Sequence, residues 1–183
     1  MDWTQVTWRP GVGDPTVAGW LVAGALGIAG LLSLGAVFKA YPNRRVAGFW
    51  LGTTLILLLL AFNKQLDLQV LLIQVGRALV HGLGWTAWRR QIEGVFALLL
   101  GVGLLIGLAA WLWPLRKWWR YLAWGMGGVL FTLLVTFYRA IYFCHVLGMV
   151  NHNLYALLEL IGPFWVIAGA LRFLAADPIH RHF

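Results

Sequence analysis

The sequence predicts an all-α, polytopic membrane protein with five transmembrane helices, its N-terminus outside and its C-terminus cytoplasmic. Three observations carry that prediction. Hydrophobic residues make up 61% of the chain and charged residues 11%, with a mean hydropathy of +0.79, which leaves too little polar surface to coat a soluble domain. The apolar residues gather in several runs of 17 or more, long enough to cross a bilayer. The basic residues fall mainly in the short breaks between those runs, as the positive-inside rule requires of cytoplasmic loops. The 183 residues form one integral membrane domain.

Residues 1–16 read as a polar, interfacial lead-in. No basic stretch directly precedes the first apolar run and no small-residue cleavage site follows it, so the first span is expected to be retained. That span covers 17–38 and is rich in small residues (Gly19, Ala23, Gly27) that permit close helix approach. A tight basic loop, 39–45, leads to a second span at 46–62. Between Asn63 and Trp85 the pattern changes. Asp67, Gln74, Arg77 and His81 share an arc of about 80° on a helical wheel, which predicts an amphipathic helix at about 64–83 lying in the interface; the alternatives are a helix packed with its polar strip against other spans and a sixth crossing. Lys64 and Asp67, three residues apart, are positioned to neutralise one another.

The third span, 92–113, contains Gly103-x-x-x-Gly107, a packing motif of low specificity, and ends at Pro114. Arg116, Lys117 and Arg120 are then interleaved with tryptophans. This could stack nucleic-acid bases, but an interfacial belt over anionic headgroups explains it better, and no nucleic-acid partner is expected. The fourth span runs over 121–147 and the fifth over 152–174. Loop charge sets the orientation. The side holding 39–45, 114–120 and the tail carries eight Lys/Arg, and the opposite side carries five.

Candidate functional residues concentrate at the outer end of the last hairpin. Arg139 and Glu159 lie at similar distances from the break between spans four and five, so both should sit about 10–12 Å below the same surface. Ionisable groups at that depth normally face the protein interior and pair. Tyr142, His145, His152 and Tyr155 crowd the mouth above them, with Asn63 and Asp67 contributed from the second span onward. The cluster reads first as a structural ion pair with hydrogen-bonded tyrosines that fixes helix register, next as a site for a ligand, lipid headgroup or cofactor, and last as a catalytic site.

Catalytic and metal readings are weaker. His145 and His152 could ligate haem or a metal in a helix bundle, but no H-x-x-H, H-E-x-x-H or carboxylate-histidine pair stands at metal spacing. The His-Arg-His of the tail is too sparse for a metal tract. No G-x-S-x-G occurs, Ser33 is mid-span, and Cys144 and His145 point about 100° apart on a helix, which disfavours a thiol dyad. Arg139 and His145 reproduce half of a lipid-phosphatase motif, R-x5-H, whose P-S-G-H partner is absent. No catalytic residue and no metal ligand are therefore assigned, and the residues specify no particular cofactor.

The run FNKQLDLQ (Phe62–Gln69), the Gly84-Trp85 and Arg89-Arg90 segment, R-A-x-x-F-x-H (Arg139–His145) and the following stretch from Asn151 or Asn153 into L-L-E-L resemble a group of uncharacterised bacterial polytopic membrane proteins. The likeness covers roughly residues 46–172. Where the group's pattern has a second histidine and an aspartate, this chain has Cys144 and Leu147. The resemblance implies a multi-pass protein of the bacterial inner membrane and points to the same polar cluster, without implying a reaction. The expected role is a non-catalytic accessory or scaffold subunit of a larger membrane complex, partnered by lipid and other membrane subunits. Its outer-half pocket would hold a lipid, quinone or pigment. The alternative is a membrane enzyme acting on a lipid-linked or anionic substrate, with Arg139 binding the anion.

Overall fold

The first helix begins where the chain supplies a cap. Thr16 adopts an extended backbone and its side-chain oxygen accepts the Gly19 N–H at 3.0 Å, satisfying one of the N–H groups that the first turn leaves over. Helix α1 then spans Val17–Ala40. Asn43 starts α2, Arg44–Leu66, its Oδ1 accepting the backbone N–H groups of Arg45 and Val46. Helix α3 covers Leu68–Gly82 and stops at Gly84, whose φ of +72° is open to glycine without strain. Helix α4 (Arg89–Leu112), a 3-10 segment (Trp113–Trp118) entered through Pro114, α5 (Trp119–His145) and α6 (His152–Ala175) complete the chain.

This computed structural model describes residues 14–66, 68–85, 88–145 and 152–176; within them the side chains at 139–145 and 152–155, and several between 68 and 97, lie outside the description. Among the described residues the regular structure is entirely helical. Four helical stretches are long and apolar enough to cross a membrane, Val17–Ala40, Arg44–Leu66, Leu98–Tyr138 and Ala156–Ala175, which fits a multi-pass membrane protein.

The 41-residue stretch is not one straight rod. A Cβ placed on Gly101 would stand 3.2 Å from the ring of Phe137. In a continuous helix those two residues would be about 54 Å apart. The run therefore doubles back at the 3-10 segment, where Pro114 removes a backbone donor. Leu115 plugs this turn into the core.

Helices α1, α2, α5 and α6 make the packed bundle, α1 against α2 and α6, and α5 against α6. Glycine permits the closest of these approaches. A Cβ on Gly128 would lie 2.6 Å from the Val166 nitrogen, and one on Gly169 2.6 Å from the Gly125 nitrogen. At one end Trp50 is wedged beside Gly125 and packs on Phe173, while Phe49 stacks on Trp111 at 5.3 Å between ring centres. At that same end Lys39 donates to the carbonyl oxygens of Leu174 (2.7 Å) and Ala176 (2.8 Å), which neutralises the negative end of α6 and ties it to α1. The 39–45 loop, the 3-10 segment and the end of α6 thus share one end of the bundle. The end of α2 and the starts of α1 and α6 share the other.

One boundary differs from the sequence reading. Helix α2 continues to Leu66, past the Asn63-Lys64 pair that ends its apolar run, because Lys64 has partners inside the protein. The amphipathic helix is described over Leu68–Gly82, and Asp67 lies outside the described residues. The helix packs through Ala78, 3% exposed, and leaves His81 exposed.

Candidate functional site

Three ionised side chains meet where the start of α1, the end of α2 and the first half of α6 come together. Lys64 Nζ lies 2.8 Å from Glu159 Oε2 and 3.2 Å from Asp14 Oδ2. The Lys64 and Asp14 side chains are each 11% exposed and that of Glu159 10%. Each position follows from local structure. Asp14 stands two residues before the cap of α1, and its Oδ1 accepts the Thr16 hydroxyl at 2.6 Å and the Thr16 N–H at 3.3 Å. The Gly19 N–H donates in turn to the Thr16 oxygen, so α1's first turn and the Asp14 carboxylate are set by one chain of hydrogen bonds. Gly19 matters for the same reason: a Cβ there would collide with the Asp14 carboxylate.

Burial pushes the Asp14 carboxyl up, but its Thr16 hydrogen bonds and the Lys64 charge outweigh that and hold it below its ordinary value. The ammonium can donate three hydrogen bonds, and among the described residues the two carboxylates take two of them. Chemically the arrangement is a brace across three chain segments.

The sequence placed Glu159 in this neighbourhood and missed Asp14 and Lys64. Lys64 turns to Asp14 and Glu159; Asp67, the neighbour expected to neutralise it, lies outside the described residues. The signal was available in Lys64 itself, a cation on the last turns of an apolar helix, which needs interior partners.

The remaining candidates are placed by backbone. Glycine contacts set Gly125 level with Gly169, Gly128 with Val166 and Thr132 with Gly162 along the antiparallel α5/α6 pair. Continued toward the mouth, this register sets Glu159 level with position 135, Arg139 with Tyr155 and Tyr142 with His152. Arg139 therefore stands one turn, about 6 Å, nearer the mouth than Glu159, and not at the same depth. The last turn of α5 overhangs the start of α6, which the symmetric hairpin expected from sequence does not include. The side chains of Arg139, Tyr142, His145, His152 and Tyr155 lie outside the described residues. Asn63 is half-buried on α2. Among the described residues no three His, Cys, Asp or Glu side chains gather in a way that could hold a metal ion.

Among the described residues, two further polar groups are buried in the bundle without a hydrogen-bond partner, the Trp50 Nε1 and the Thr53 Oγ1, one turn apart on α2. Both amide atoms of Gln65, next to Lys64, share that condition. No protein family, curated protein or solved structure matches this chain.

Proposed function

We propose that this chain is a non-catalytic accessory or scaffold subunit of a larger complex in the bacterial inner membrane, akin to the bacterial group its motifs resemble. It crosses the membrane five times, N-terminus outside and C-terminus cytoplasmic, and its outer half carries a polar pocket suited to a lipid, quinone or pigment. The observation that carries the subunit role is the poor internal packing of one span. The Leu98–Tyr138 stretch is 6% buried within its apolar window, against 33–39% for the other three. On α4, Gly94, Gly103 and Gly107 have nothing within 4 Å of where a Cβ would be. Glycine on a membrane helix is favoured where another helix comes close, so a partner helix accounts for these positions better than lipid does.

The reversal at Pro114 supports counting that stretch as two crossings, hence five in all. The pocket reading rests on Lys64, a cation about nine-tenths buried between two carboxylates at that end and suited to a quinone carbonyl or a phosphate oxygen. The chain should copurify with a stoichiometric membrane partner in mild detergent. Gly103→Leu with Gly107→Leu should shed that partner without lowering the chain's own melting temperature. An absorption spectrum of the same preparation reads out a bound quinone or pigment. A chain that purifies alone and turns over a lipid-linked substrate would instead be the membrane enzyme. For orientation, Asn43→Cys should resist an impermeant thiol reagent in intact cells and Thr86→Cys should react, both after Cys144→Ala. The reverse pattern would invert the topology.

A further inference from the structure

We propose that the end of the bundle opposite the Lys64 brace is a binding surface for anionic phospholipid headgroups, built jointly by the α1–α2 loop, the 3-10 segment and the end of α6. Among the described residues, six cationic side chains are exposed there: Arg44, Arg45, Arg116, Lys117, Arg120 and Arg172. Lys39 is excluded because the α6 carbonyls hold it. The segments share one end because Leu115 of the 3-10 segment is buried in the same core cluster as Val46 and Phe49 of α2, and because Lys39 ties α1 to the last turn of α6. The described carboxylates, Asp14 and Glu159, sit at the other end, and Asp177 lies outside the described residues. The cationic surface therefore has no described counter-charge of its own.

The occupant follows from what surrounds these cations. The Arg172 Cζ lies over the Trp124 ring, 4.2 Å from its centre, and the Arg116 Cζ over the Trp113 ring at 5.4 Å. Contact of this kind holds a guanidinium in place while leaving its N–H edge for phosphate oxygens. Trp113, Trp119 and Trp124 are themselves exposed, at 70%, 56% and 45%. Indole rings between cations at the end of membrane-crossing helices belong at headgroup depth, where the neighbouring anions are lipid phosphates. An acidic protein or a nucleic acid docking from the water would leave those rings uncovered.

The test uses the full chain in nanodiscs of phosphatidylcholine alone and of phosphatidylcholine mixed with phosphatidylglycerol, with native mass spectrometry of retained lipid. The anionic discs should raise the melting temperature, and phosphatidylglycerol should be retained over phosphatidylcholine. Arg116→Gln/Lys117→Gln/Arg120→Gln should weaken that preference by ~10-fold or more. Arg89→Gln/Arg90→Gln, at the opposite end, should leave it intact. Should the triple variant not fold, raising salt on the unmodified chain must erode the preference, because exposed charges are screened. Equal behaviour in both lipids, a preference untouched by salt and by the triple variant, or a copurifying nucleic acid or acidic protein covering this end overturns the proposal.

Discussion

Lys64→Met should be the most damaging single change at the end of the bundle where α2 finishes and α1 and α6 begin. It removes the one described cation between two carboxylates that are each about nine-tenths buried. Breaking a buried pair from one side typically costs ~3–5 kcal/mol, because a charge is left without compensation. In a bilayer the unfolded reference also finds partners, which favours the lower end of that range. The readout is the melting temperature in detergent together with expression level. Asp14→Asn/Lys64→Met/Glu159→Gln should recover much of the loss, since the neutral set has no stranded charge. If Lys64→Met is as stable as the parent, the brace does not form.

Acid offers an independent check on the same contact. Asp14 is held below its ordinary value in the folded protein, so its contribution is present above the unfolded value and is lost as pH falls through the folded one. The protein should keep its Asp14-dependent stability at neutral pH and lose it below about pH 4. Asp14→Asn should flatten that part of the profile.

Much of the architecture could be read from the chain because its determinants are local. Apolar run length and Pro114 each act over a few residues and left a visible mark. The brace itself was only partly legible. Glu159 drew attention as a carboxylate inside a span, whereas Lys64, which it meets, is 95 positions away on α2 and the second carboxylate on Lys64 comes from the lead-in. Sequence spacing can rank neighbours on one helix, as it did for Lys64 and Asp67, but it does not show which helices meet. Depth was approximate for a related reason. It was counted from the hairpin break, whereas the α5/α6 register is set by glycine contacts three to five turns away.

Those glycine contacts also separate two motifs that look alike on paper, and a paired substitution should tell them apart. Gly103-x-x-x-Gly107 is the spacing usually read as a packing site, but within this chain both glycines face open space. Gly125, Gly128, Gly162 and Gly169, less conspicuous in the sequence, carry the α5/α6 interface. A Cβ on Gly128 would meet the Val166 nitrogen at 2.6 Å and the Gly162 carbonyl oxygen at 3.0 Å. Both are backbone atoms, so no rotamer change can relieve the clash and the helices must move apart. Overpacking of this kind costs ~1–3 kcal/mol, and Gly128→Leu should exceed that range because it displaces α6 along its length. The displacement would also pull Glu159 from Lys64, so Gly128→Leu should expose Lys64 to amine-reactive labelling as well as lower the melting temperature. Gly103→Ala, which meets nothing within 4 Å, should stay within about 0.5 kcal/mol of the parent in the isolated chain. If Gly103→Ala destabilises the isolated chain as much as Gly128→Ala, then α4 is packed inside the bundle, and its glycines are not available to a partner.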